Sequence, residues 1–288
     1  MSSVDSGLNE PEPNLHTDPT QLFLDAQQTS HYARHRPHYP QQLYHHLYGY
    51  AFPGRQPPFP DLTVVDVATG SGQSLGPLPC DFGTCIALDV STTQLAEVPP
   101  TLRQRVRLQL GDAHATGLPP ASVDLVTVGQ ALHWFRLDDF YKECCRILRP
   151  TGALAAWTYD FGQLHGFNGA EELYRELHSG ILGSYWAKGR ELVDRYYIGI
   201  EPGPEYFEEV QRLQLPMPVS VTLDELVGQV RSWSGYASFL RMQPSRADPA
   251  EWFRQQCAAC MAMESVERLT LQRTITMLIA LRPRLRGV

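Results

Sequence analysis

No stretch of this 288-residue chain is apolar for long enough to cross a bilayer, and residues 1–21 lack both the cationic start and the apolar core of a secretory signal. The expectation is a flexible polar tail over 1–21, followed by one domain over 22–288 with no membrane partner. Cysteine is sparse, at six residues, and without secretion features these thiols are expected to be reduced in a cytoplasmic setting. Positive charge is in deficit: the net charge of −7 leaves no broad basic field for a polyanion, so no nucleic-acid partner is expected. Metal-ligand sets are incomplete. His31, His35 and His38 are interrupted by the helix breaker Pro37, and Cys257 and Cys260 lack a second pair, so no metal is expected. Internal repeats and long low-complexity tracts are missing too, and the proline-rich stretch 49–61 reads as a connector.

What the chain does have is a β-branched apolar run at 62–67, broken after Asp66 by Ala68, Gly70 and Gly72. This is how a buried parallel strand turns into a helix N-terminus, with glycines that let backbone N–H groups approach a ligand. A second strand at 84–88 ends in Asp89 and Val90, where a carboxylate meets ribose hydroxyls. The dinucleotide fingerprint requires a third small residue, and that position holds Leu75. A pyrophosphate also disfavours a carboxylate beside the turn, whereas the methionine ammonium of S-adenosylmethionine favours Asp66, directly or through water. Further strands are predicted at 106–110, 123–128 and 153–159, with a helix at 138–148. Ligands of open α/β sheets bind outside the carboxyl ends of the strands, so Asp66, Asp89, Asp112 with Ala113, and Gln130 should line one crevice, Asp112 facing the adenine amino group.

The stretch 32–159 resembles class I S-adenosylmethionine-dependent methyltransferases, and within them the trans-aconitate methyltransferase-like small-molecule branch. Five ordered blocks carry the resemblance: Asp66 to Gln73, Leu88 to Ser91, Gly111 to Ala113, Gln130 to Phe135, and Arg146 to Gly152. Upstream, Arg36-Pro37-His38-Tyr39-Pro40 is similar to the branch's entrance segment, and Ser232-Trp233-Ser234 to its Ser-Trp-Ser element. Two departures stand out: Ala68 replaces the usual first glycine, and Pro77 and Pro79 shorten the helix between the first two strands. The resemblance implies an α/β, Rossmann-like fold, with a mostly parallel seven-stranded sheet, helices on both faces and a helical cap drawn from 22–50 and about 161–262. Within that cap, helices are predicted at 222–233 and 248–263; beyond it, 270–281 is read as a strand completing the sheet, in an antiparallel edge pair, with a helix as the alternative.

The resemblance further implies S-adenosylmethionine as cofactor, S-adenosylhomocysteine as product and a small molecule as methyl acceptor. A carboxylate acceptor is ionised at neutral pH and needs no base, but it needs a clamp, for which Arg36 and Tyr39 are candidates. A hydroxyl, thiol or amine acceptor needs a base, for which His133 is placed; His133 could equally order the loop or touch the cofactor. Arg36 has the alternative of a structural salt bridge. Trp134, Trp157, Tyr159, Tyr185, Trp186 and Trp233 are candidates for an aromatic wall around sulfonium and substrate, or for simple core packing. Two other functions stay open. One is a protein or nucleic-acid methyltransferase, although Gln130-Ala131-Leu132-His133 stands where such enzymes carry an Asn/Asp-Pro-Pro-Tyr/Phe loop. The other is a non-catalytic relative that keeps the fold without methyl turnover.

Overall fold

The structure, a computed structural model, describes residues 39–187 and 189–284. Arg36, the tail at 1–21, the cap residues before 39 and the histidines at 31, 35 and 38 lie outside the described residues.

Eight strands form one sheet: β1 (Phe59–Val67), β2 (Phe82–Asp89), β3 (Arg107–Leu110), β4 (Val123–Gly129), β5 (Leu148–Tyr159), β6 (Gln163–His165), β7 (Phe207–Val221) and β8 (Leu269–Pro283). Strands β3, β2, β1, β4 and β5 are parallel neighbours in that order. β8 runs antiparallel to everything it touches. β5 and then the short β6 lie along one of its edges, and β7 lies along the other.

The alternation of side chains along the strands explains the two cores. Val65, Val67, Val126, Val128 and Leu154 face one side, against the helix Leu137–Ile147. Val64, Leu125, Ala155, Trp157 and Met277 face the other, against Leu43, Tyr44 and Leu47 of the helix Gln41–Ala51. Both faces are covered, as a parallel sheet requires. A third cluster holds the cap together: helices Leu223–Arg231, Ser234–Met242 and Pro249–Glu264 bury Trp233, Phe253 and Cys257 with Tyr174. Asp248 caps the last helix by accepting from Ala250 N and Glu251 N, and Thr222 with Glu225 forms a capping box on the first.

Two expectations are corrected. The sheet has eight strands rather than seven, because β6 adds three residues in line with β5. Residues 207–221, assigned from the sequence to the cap, are β7, the antiparallel edge partner of β8. Pro216 and Pro218 obscured it; they are tolerated because an edge strand leaves alternate N–H positions unpaired, and the two prolines are two residues apart. Within the cap, one helix is irregular: Ala170–Arg175 is α-helical and Glu176–Ile181 is π-helical.

Candidate active site

The carboxyl ends of β1, β2, β4 and β5 open on the same edge of the sheet, and the turn after β1 is the centre of the site. Its backbone is left-handed at Ala68 (φ 53°), Gly70 (φ 57°) and Gly72 (φ 91°). Ala68 thus adopts, with a methyl group, a conformation that glycine takes without penalty. Thr69 N donates to Leu88 O at 3.0 Å and Gly70 N to Asp89 Oδ2 at 2.8 Å, which ties the turn to the end of β2. Ser91 N donates to Asp89 Oδ1 at 2.8 Å, so two backbone amides fix the Asp89 carboxylate. Burial nonetheless outweighs these bonds and raises the Asp89 pKa above the ordinary carboxylate value.

Asp66 takes a different place from its sequence neighbours. It is 0 % exposed and accepts from Ser74 Oγ at 2.6 Å and Thr127 Oγ1 at 2.7 Å. Its carboxyl therefore supports the turn from beneath, and burial pushes its pKa up to about 6. Asp112 lies at the end of β3, where Oδ1 accepts from His114 N at 2.8 Å and meets His114 Nδ1 at 2.5 Å. Ala113 is buried beside it. Gln130, at φ 59°, is held by β5: Oε1 accepts from Tyr159 N at 2.9 Å and Thr158 Oγ1 at 3.0 Å, while Nε2 donates to Tyr159 O at 3.3 Å.

The residues present fit a nucleoside cofactor. Val90 and Leu110 are apolar yet 47 % and 59 % exposed, at the adjacent ends of β2 and β3. Two apolar side chains left open to solvent thus flank the fixed Asp89 carboxylate, the kind of surface a base can cover. Gln94, unnoticed in the sequence, contributes a buried Oε1 without a hydrogen-bond partner among the described residues, 3.6 Å from where a side chain on Gly70 would begin. Such an orphaned acceptor beside the turn suits a ligand's donor.

A cavity opens one strand over from this turn, between the ends of β4 and β5 and the cap. His133, Trp134, Tyr159, Asp160, Phe161, Trp186, Trp233 and Arg273 are among the residues that line it. Phe161 packs at 4.9 Å from both Trp186 and Trp233, centroid to centroid, and the two tryptophans are 5.7 Å apart. Arg190 lies over the Phe161 ring at 3.5 Å and donates to Asp194. His133 Nδ1 is 3.1 Å from the Tyr197 hydroxyl. Trp157 stands apart from this wall. It is 0 % exposed in the core, packed edge-on against Tyr39 at 5.5 Å and Tyr44 at 6.2 Å, two residues deeper along β5 than Tyr159. Tyr39 packs with it and, at 6.1 Å, behind the wall residue Tyr159, and Tyr185 meets Phe239 edge-on at 5.1 Å. Arg273, Asp160 and Gln229 were missed from the sequence; the signal available was an arginine well inside the mostly apolar strand β8.

Residues 65–156 match the family described as Methyltransferase domain, a span that runs from β1 into β5 and contains the glycine turn, Asp89, Asp112 and His133. The chain carries a class I S-adenosylmethionine-dependent methyltransferase domain. Among its relatives is a Dictyostelium discoideum protein named as a candidate methyltransferase, 35 % identical over 179 residues, or 62 % of this chain and 66 % of the other. The chain thus spans slightly under two thirds of that relative. A Saccharomyces cerevisiae protein named a probable S-adenosylmethionine-dependent methyltransferase is 25 % identical over 254 residues, covering 78 % of this chain and 85 % of its own. A solved candidate type II methyltransferase from Anaeromyxobacter dehalogenans superposes with a TM-score of 0.66 at 28 % identity, over 85 % of this chain and 96 % of its own. S-adenosylmethionine is the cofactor of this methyltransferase domain. No helix among the described residues is long and apolar enough to cross a membrane.

Proposed function

We propose that this chain transfers the methyl group of S-adenosylmethionine to a small molecule of the kind handled by the trans-aconitate methyltransferase-like branch, with a carboxylate oxygen as nucleophile and a methyl ester as product. The observation that carries this reading is the aromatic-walled cavity at the ends of β4 and β5, one strand over from the glycine turn, with Trp186 and Trp233 of the cap in its wall. A folded protein surface or a nucleic-acid strand needs an open groove, whereas a cavity that sets aromatic rings beside polar and charged groups such as Asp160, Gln229 and Arg273 suits a compact organic ligand with a polar group of its own.

The cofactor supplies an electrophilic methyl group on a sulfonium, open to in-line displacement. The chain's own residues hold and exclude. Asp89 presents a carboxylate already fixed by Gly70 N and Ser91 N, and its remaining lone pairs suit the ribose hydroxyls. Val90, Leu110, Asp112 and Ala113 form the base end. Phe161, Trp186 and Trp233 keep water from the acceptor, which leaves a carboxylate poorly solvated and close to the methyl group. An ionised carboxylate needs no proton removed, so His133 serves on this reading to order the loop through Tyr197 rather than as a base.

The test is a turnover assay that measures S-adenosylhomocysteine and the methylated product by mass spectrometry, over a panel of small carboxylic acids with matching alcohols and amines. Methyl esters should form, and Asp89→Ala should weaken S-adenosylmethionine binding at least tenfold by calorimetry. Tight cofactor binding with no product from any acceptor would instead identify a non-catalytic methyltransferase relative. Products confined to alcohols or amines would return His133 to the role of general base.

A further inference from the structure

Arg273 sits near the N-terminal end of β8, opposite Met217 of β7, and lines the acceptor cavity. It is 2 % exposed. Nη2 donates to Gln229 Oε1 at 2.8 Å, and the guanidinium carbon lies 5.2 Å from the centre of the Tyr159 ring. Nε and Nη1 have no hydrogen-bond partner among the described residues. Other arginines of the fold are neutralised: Arg190 pairs with Asp194, Arg212 with Glu201, Arg254 with Asp224, and Arg282 with Glu208 and Glu209. The acidic residue of the cavity wall, Asp160, is committed elsewhere, accepting from Thr274 N at 3.0 Å and Tyr196 Oη at 3.4 Å.

A buried guanidinium is costly unless a counter-charge and hydrogen-bond acceptors meet it. The groups beside the guanidinium, Gln229 and the Tyr174 hydroxyl, are both neutral, so neither calls for a cation, and a neutral amide donor would satisfy Gln229 equally well. The donors left on Nε and Nη1 therefore find their use in a ligand. A planar fork of N–H groups matches a carboxylate in charge and shape. The cavity's other guanidinium, Arg190, is paired with Asp194, so Arg273 suits one negative charge, and Asp160 on the same wall opposes a second, which disfavours a phosphate dianion.

We propose that Arg273 is the anion clamp of the acceptor cavity, holding a carboxylate of the methyl acceptor against the Tyr159, Phe161 and Trp233 wall. This rests on the cavity being the acceptor site, and it makes Arg273 a specificity-determining residue outside the family's matched span.

The experiment is thermal unfolding of the full chain with excess S-adenosylhomocysteine, titrated with acetate, phenylacetate, octanoate, phenylacetamide or inorganic phosphate. A ligand that binds the folded state alone raises the melting temperature with its concentration. In the wild type at least one carboxylate should raise it, and phenylacetamide should not. Arg273→Met should lose that response while melting no lower than the wild type without carboxylate, because it removes an unpaired buried charge. Arg273→Gln, which can still reach Gln229, should also lose the response, and it decides the matter if the methionine variant does not fold. The proposal is overturned if no carboxylate stabilises the wild type, if phosphate alone does, if the amide matches phenylacetate, or if the folded variants respond as the wild type does. Failure of the functional reading looks different: carboxylates would bind through Arg273 yet no acceptor would be methylated.

Discussion

Asp66 is the residue whose protonation most directly links the turn to stability. Its unfolded pKa lies near the ordinary value of about 3.9, while burial in the fold, partly offset by Ser74 and Thr127, raises it to about 6. Between these values the folded state binds a proton that the unfolded chain has released. The stability this group contributes is therefore fully present below about pH 4 and is lost as the pH rises through about 6. The shift corresponds to something on the order of 3 kcal/mol for a fully buried group. Asp66→Asn should accordingly gain stability relative to the wild type by about that amount between pH 4 and pH 7, measured by urea unfolding at several pH values. A difference that stays constant across this range would mean that Asp66 is ionised in the fold at all these pH values. At the same scale, the strand-end position of Asp89 was legible in the sequence, because an acidic residue closing a β-branched run is visible without coordinates. The partners of Asp66 were not, since Thr127 reaches it from β4, 61 residues away.

At the scale of elements, the cap meets the sheet through close packing that has no local signature. Gly235 lies in the first turn of the helix Ser234–Met242, and a Cβ there would come within 2.8 Å of Trp186. Alanine would favour the helix intrinsically but displace an aromatic wall residue of the cavity. Gly235→Ala should therefore raise the acceptor KM several-fold while leaving the S-adenosylhomocysteine affinity within about twofold, because the added Cβ meets Trp186 and no residue of the glycine turn. Equal weakening of acceptor and cofactor would show that the two subsites move as one. The π-helical stretch Glu176–Ile181 belongs to the same contact: His178 O accepts from Trp186 Nε1 at 3.0 Å. The regular helix Ala170–Arg175 gives way there because the fold, not intrinsic propensity, sets the last turns.

At the scale of the whole molecule, β8 is the strand that joins the sheet to the cap. It pairs with β5, β6 and β7, and Leu271 belongs to the cap core while Met277 and Ile279 belong to the sheet core. A chain ending at residue 266 loses an interior strand and leaves β5 and β7 with unpaired edges. It should show no cooperative unfolding transition by circular dichroism, whereas a chain ending at residue 284 should unfold as the full chain does. A cooperative transition in the shorter chain would place the folding unit within β1 to β5. By itself, the sequence determined the strands β1 to β5, the turn at Ala68 to Gly72, the acidic strand ends and the class of cofactor. Those signals are local: periodicity, a charge at the end of an apolar run, and glycine where the backbone turns left-handed. Tertiary structure decided the rest, namely that 207–221 pairs with the last strand, that Asp66 lies beneath the turn and Trp157 in the core, and that Arg273 faces a cavity some 140 residues from His133 in sequence. These depend on long-range register and on which face of a strand meets the cap, and a linear pattern carries neither until the chain has closed on itself.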